Sequence, residues 1–92
     1  MYYLKMTKHD KLIKRIMTKP NNFTYSELKK LLSGLGYTET KAGKTSGSRV
    51  AFINKYGHII RLHKPHPGSE LKKYQVNYLV DELRKRGFFD EE

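Results

Sequence analysis

The segment from Arg49 to His63, RVAFINKYGHIIRLH, constrains the fold more than any other part of the chain. Apolar and polar residues alternate on both sides of Asn54-Lys55-Tyr56-Gly57, and a β-strand turns successive side chains to opposite faces. The interruption suits a type I turn closed by a glycine in the left-handed region, a common three-residue hairpin loop. With that loop Asn54 pairs with His58, Arg49 falls opposite His63, and Ala51 falls opposite Arg61. Val50, Phe52, Ile60 and Leu62 then share a buried face, while Arg49, Arg61 and His63 collect on the other. An imidazole that titrates near neutral pH beside fixed cations meets the needs of phosphodiester cleavage or of phosphate binding.

The remaining elements follow from periodicity and caps. Leu12, Ile13, Ile16 and Met17 give a helix over Lys8–Met17, stopped by Lys19 and Pro20. Thr24 and Glu27 form a capping box for a second helix with Leu28, Leu31, Leu32 and Leu35 as its apolar stripe, ended by Gly34 and Gly36. Tyr37–Lys41 reads as a weakly alternating first strand, and residues 42–48 (AGKTSGS) as a Gly/Ser turn. Lys73–Lys85 is a third helix with Val76, Leu79, Val80 and Leu83 as its core stripe and Gly87 just beyond it. Phe88 and Phe89 are expected to fold back on the core, with residues 90–92 as a short acidic tail. The predicted class is α+β: a three-stranded antiparallel sheet packed by two helices (α-β-β-β-α), with an extra N-terminal helix. Residues 1–22 are the N-terminal extension, 23–89 the domain proper and 90–92 the tail.

The 92 residues suffice for one core and no deep enclosed cavity. Nineteen Lys and Arg against nine Asp and Glu leave +10, a charge that draws polyanions, nucleic acid first among them. An acidic protein or an anionic membrane is the next partner class, and a merely soluble basic surface is the bland alternative. Without cysteine there are no disulfides, thiolate metal sites or cysteine nucleophiles. No apolar run of about 18 residues is present to span a membrane. The start, MYYLKMTKHDKL, lacks a signal-peptide core, so a cytoplasmic location is expected.

Of the four histidines, His9 reads as a surface residue of the first helix and His58 as an ordinary polar residue beside the hairpin turn. His63 and His66 stand in Leu62-His63-Lys64-Pro65-His66-Pro67-Gly68, where two prolines stiffen the backbone. They are the candidate proton carriers, and a rigid polar connector is the alternative. Their H-x-x-H spacing lacks a matching carboxylate, so no metal is expected. Arg49 and Arg61 can hold a phosphate through forked hydrogen bonds; ordinary cross-strand polar residues are the bland reading. Lys64, Lys72 and Lys73 add cations near the start of the third helix, where backbone N–H groups favour anions. Lys44, Ser48, Lys41 and Ser46 line the Gly-rich turn as further phosphate contacts.

Together Phe23-Thr24-Tyr25-Ser26-Glu27-Leu28 through Leu35-Gly36-Tyr37, Gly47-Ser48-Arg49-Val50, His66-Pro67-Gly68 through Glu70-Leu71-Lys72, and Leu83 to Phe88 carry a resemblance. The chain resembles the HicA-type toxins of type II toxin–antitoxin pairs over about residues 23–88. The resemblance implies a double-stranded-RNA-binding-domain-like fold, metal-independent cleavage of mRNA without a cofactor, and a cognate acidic HicB-like antitoxin that masks the site. A monomeric free toxin is expected. Many members of that family carry a catalytic histidine after Gly-Ser at the start of the second strand, where this chain has Arg49. Either His63 or His66 has taken over the proton transfer, or another group cuts, or the chain is a catalytically inactive RNA-binding or antitoxin-docking domain. The hairpin register favours His63, with Arg49 and Lys64 neutralising the phosphorane and His66, a lysine or water protonating the leaving oxygen.

Overall fold

The computed structural model describes residues 7–41, 49–65 and 68–89. Its elements run α1 (Lys8–Met17), α2 (Tyr25–Gly34), β1 (Thr38–Lys41), β2 (Arg49–Ile53), β3 (Ile59–His63) and α3 (Lys73–Lys85). The sheet is antiparallel in the order β1-β2-β3. The α-β-β-β-α succession expected from the sequence is therefore the observed one, with α1 ahead of it.

Local chemistry explains where the helices begin and end. Thr7 and Thr24 each accept a hydrogen bond from the backbone N–H three residues on, and Asp10 and Glu27 reciprocate. Helix α2 runs through Gly34 and stops at Leu35, with Gly36 in the left-handed region at φ 94°. The helix thus ends at Gly34 and Gly36 as the sequence suggested. Gly34 also makes room: the His9 ring of α1 occupies the place a Cβ at Gly34 would take. His9 Nε2–H donates to the Leu31 carbonyl at 3.0 Å, so this histidine is a tie between helices and no plain surface residue.

One core joins all layers. Ile16, Phe23, Leu28, Leu31, Leu32, Phe52, Ile60, Val76, Leu79, Val80 and Leu83 are fully buried. Each of the larger ones contributes about 1.5–3 kcal/mol relative to exposure. Because Ile16 belongs to that cluster, α1 is built into the same core as the sheet and α3. Arg15 reinforces the join, forking onto the Glu27 carboxylate at 2.9 and 3.0 Å with its guanidinium 5.3 Å from the Phe23 ring centre. Phe89 folds back into the core and Phe88 packs against it.

The hairpin has the register read from its sequence, with Arg49 opposite His63, Val50 opposite Leu62, Ala51 opposite Arg61 and Phe52 opposite Ile60. Asn54 fixes the turn: its Oδ1 accepts from the Tyr56 and His58 N–H groups, and Gly57 follows at φ 85°. The Asn54 N–H donates to the His58 carbonyl at 3.1 Å, which makes this a hydrogen-bonded pair. Alternation from there leaves Ala51–Arg61 and Arg49–His63 as non-bonded pairs, whose side chains stand closest across the ladder. The backbone groups of Arg61 and His63 correspondingly point away from β2, toward α3.

Helix α3 is fastened to edge strand β3 at two points. Near its start, the Gln75 side chain donates to the His63 carbonyl at 2.8 Å and accepts from the Lys72 N–H at 2.9 Å. Farther along, Glu82 accepts from His58 Nε2–H at 3.0 Å, while the Tyr37 hydroxyl donates to His58 Nδ1 at 2.7 Å. Beyond β3 the connection is pinned to the α2 start by Tyr25 N–H to the Ser69 carbonyl and Leu71 N–H to the Phe23 carbonyl, both at 2.8 Å. Among the described residues no helix is long and apolar enough to cross a membrane.

Candidate nucleic-acid interface

Among the described residues the helices cover one face of the sheet and none packs on the other. Thr38 and Thr40 of β1, Arg49, Ala51 and Ile53 of β2, and Ile59, Arg61 and His63 of β3 share that face by register. Its two ends differ in chemistry. Ile53 and Ile59 lie toward the turn, whereas Arg49, Arg61 and His63 gather at the end next to the α3 start. Ala51 is buried although it stands on the bare face, because its methyl group is short and its cross-strand neighbour Arg61 is long.

Arg49, Val50, Arg61, Leu62 and His63 line a groove of about 520 Å³. Arg49 and His63 are direct cross-strand partners, which sets their Cβ atoms roughly 4.5–5.5 Å apart. Arg49, Arg61 and His63 are all exposed, so an anion reaches them without any part of the core opening. Two guanidinium groups can neutralise a phosphate while the imidazole exchanges a proton with a group attached to it.

Other sequence candidates are placed differently. Lys64 follows β3, and its ammonium stands 5.9 Å from the Tyr25 ring centre. Tyr25 packs against Phe52 on the helix-covered face and donates its hydroxyl to Glu39 at 2.9 Å. Lys64 therefore reaches toward the α2 start and away from the Arg49–His63 groove. Burial first, and then the Glu39 carboxylate, raise the Tyr25 hydroxyl above its ordinary range, so it stays a neutral donor there. Lys72 is the N-cap of α3 and Lys73 its first residue, both exposed beside the His63 end of β3. His66, Lys44, Ser46 and Ser48 lie outside the described residues.

Gln75 is the participant that sequence reasoning missed. It is the only buried polar side chain among the described residues, and through the His63 carbonyl it sets where β3 ends relative to α3. Its signal was present as a glutamine three residues after Lys72, the acceptor half of a capping box without a Ser or Thr at the N-cap. His58, expected to be incidental, has both ring nitrogens engaged by Tyr37 and Glu82. Burial raises the Tyr37 hydroxyl above its usual range, keeping that donor protonated. Among the described residues no group of three or more His, Asp or Glu side chains is placed to hold a metal ion.

These features define a two-layer α+β protein with an arginine- and histidine-lined groove on the sheet face opposite its helices. Comparison with known families is specific: the model described as the HicA toxin of bacterial toxin–antitoxin matches residues 25–88, and the chain belongs to that family. It is thus a toxin of a toxin–antitoxin system, which implies an antitoxin partner. No curated protein and no solved structure matches it. The match begins at the first residue of α2, and α1 precedes it although both helices share one core.

Proposed function

We propose that this toxin is a metal-independent endoribonuclease that cuts mRNA in the cytoplasm with His63 as its general base. The observation that carries the reading is the direct pairing of Arg49 with His63 beside Arg61 in one open groove. His63 takes the proton of a ribose 2′-hydroxyl, and the 2′-oxygen attacks the adjacent phosphorus. Arg49 and Arg61 neutralise the charge that grows on the non-bridging oxygens. The bond to the 5′-oxygen breaks, that oxygen gains a proton, and the products carry 2′,3′-cyclic phosphate and 5′-hydroxyl ends. The leaving-oxygen proton comes from His66, a lysine or water. DNA lacks the attacking hydroxyl and is not cut by this route.

The partner consistent with a net charge of +10 is an acidic, HicB-like antitoxin that covers the groove of a monomeric toxin. Opposite charges then speed their encounter at low salt. A second reading rests on Arg49 itself. With arginine where many relatives carry the catalytic histidine, the groove could hold RNA or antitoxin without cutting. Single-turnover cleavage of an end-labelled RNA in EDTA separates the two. Cyclic-phosphate ends that appear with wild type and vanish with His63→Ala support catalysis. Salt-sensitive binding without any cleavage leaves the binding domain.

A further inference from the structure

We propose that Tyr74 and Tyr78, with the outer edge of β3, form a subsite for one unpaired nucleobase of the RNA whose phosphate lies on Arg49, Arg61 and His63. This rests on the RNA-directed reading of that groove. A second hollow of about 310 Å³, lined by Arg61, Leu62, His63, Tyr74, Gln75 and Tyr78, adjoins the first and shares three of its residues. A strand that sets a phosphate in one groove therefore has its next base at the mouth of the other.

The lining chemistry suits a base. Tyr74 and Tyr78 are one helical turn apart on α3, so their rings stand on the same side of the helix. Both remain exposed, at 66% and 37%, although large aromatic side chains usually gain by burial. The two fastenings of α3, at Gln75 and Glu82, fix the helix that carries both rings beside β3. Alternation along β3 turns the Arg61 backbone N–H and carbonyl toward this hollow, giving one donor and one acceptor for the rim of a base. Aromatic faces take any base, so the subsite selects for an unstacked nucleotide and only weakly for its identity.

An added peptide strand fits the same edge less well. Gln75 already occupies the His63 carbonyl, and β3 is five residues long, so few outward backbone groups remain for a second ladder. The toxin would therefore engage RNA at loops, bulges or single-stranded stretches and avoid the interior of duplexes.

The test is binding of a 2′-O-methyl RNA hairpin, which has no free 2′-hydroxyl to cleave, read by fluorescence anisotropy. Each loop nucleotide is replaced in turn by an abasic residue, and a fully paired duplex serves as control. Wild type should lose about tenfold in affinity at one loop position. The double variant Tyr74→Ala/Tyr78→Ala should bind the intact hairpin about tenfold more weakly and ignore every abasic replacement. Tyr74→Phe/Tyr78→Phe should behave as wild type, since the ring faces remain. Indifference of wild type to every abasic position, or an equal loss on the duplex, overturns the subsite while leaving RNA binding intact. Loss of affinity for an acidic antitoxin with RNA affinity unchanged overturns it in favour of a protein dock. Failure of wild type to bind any of the RNAs removes the RNA-directed reading, and the subsite with it.

Discussion

His58 enters β3 and His63 leaves it, and the fold treats the two imidazoles in opposite ways. The His58 side chain is 11% exposed, and its two ring nitrogens are taken by Tyr37 and Glu82. His63 stands exposed on the bare face, directly across from an arginine. The difference lies in the neighbouring layer. Where α3 presents a carboxylate, histidine becomes a fastener between helix and sheet. Where the facing residue is a cation on the face the helices leave uncovered, the same side chain stands exposed beside an arginine. Environment, and not residue type, divides structural histidines from chemical ones.

Substitution at the two positions gives the largest expected contrast. His63→Ala should reduce RNA cleavage by about a hundredfold or more, the scale of losing a general base, with the melting temperature unchanged. A His63→Ala protein that cleaves as fast as wild type would end its assignment as the base. Arg49→Ala and Arg61→Ala should each slow cleavage by roughly a hundredfold in single-turnover assays, as expected for losing a donor to a developing oxyanion. An equal loss in binding and none in the chemical step would instead make them positioning cations.

At the other end, His58→Ala should leave cleavage by the folded protein unaltered and cost about 1–3 kcal/mol in urea unfolding, because Tyr37 and Glu82 lose their partner. A catalytic defect without a stability loss would reverse the contrast between the two histidines. Helix α1 offers a smaller test of the same idea at His9. Gly34→Ala should destabilise the wild type by crowding the His9 ring, yet in a His9→Ala background it should stabilise by up to about 1 kcal/mol through helix propensity. Equal effects in the two backgrounds would show that the ring does not dictate the glycine.

The smallest effect expected is at the Arg15–Glu27 fork. The Arg15 guanidinium, with help from the Thr24 backbone N–H, lowers the Glu27 carboxyl from 4.5 to about 2. A depressed folded-state value means stability that is fully present above pH 4.5 and drains away as pH falls through about 2. Arg15→Ala should therefore cost up to about 1 kcal/mol at neutral pH, with the difference from wild type closing at the acid end. Thermal melts of both proteins across that range check the sign.

Much of this architecture was legible in the chain because it is written in short-range signals. Thr24 and Glu27 mark the start of α2, alternation with Asn54 and Gly57 fixes the hairpin register, and that register alone places Arg49 beside His63. The fastenings were not legible. His9 to Leu31, His58 to Glu82 and Gln75 to His63 join residues 22, 24 and 12 positions apart, and periodicity says nothing about which polar groups meet across layers. The second role of Gly34 was hidden for the same reason, since it makes room for a ring on another helix. Lys64 misled because one further step along a strand reverses the face a side chain takes.

Surface turns commonly absorb added or missing residues at little cost. The turn from Asn54 to His58 does not share that latitude, because Asn54 and Gly57 set the phase of everything downstream on β3. A single inserted residue there, if accommodated by slippage, would carry Arg61 and His63 into the core side and push Leu62 outward. The groove proposed as the active site would be lost through a change at the far tip of the hairpin, with every one of its own residues intact. A scan of single-codon insertions and deletions should accordingly find this exposed turn among the least tolerant sites in the gene.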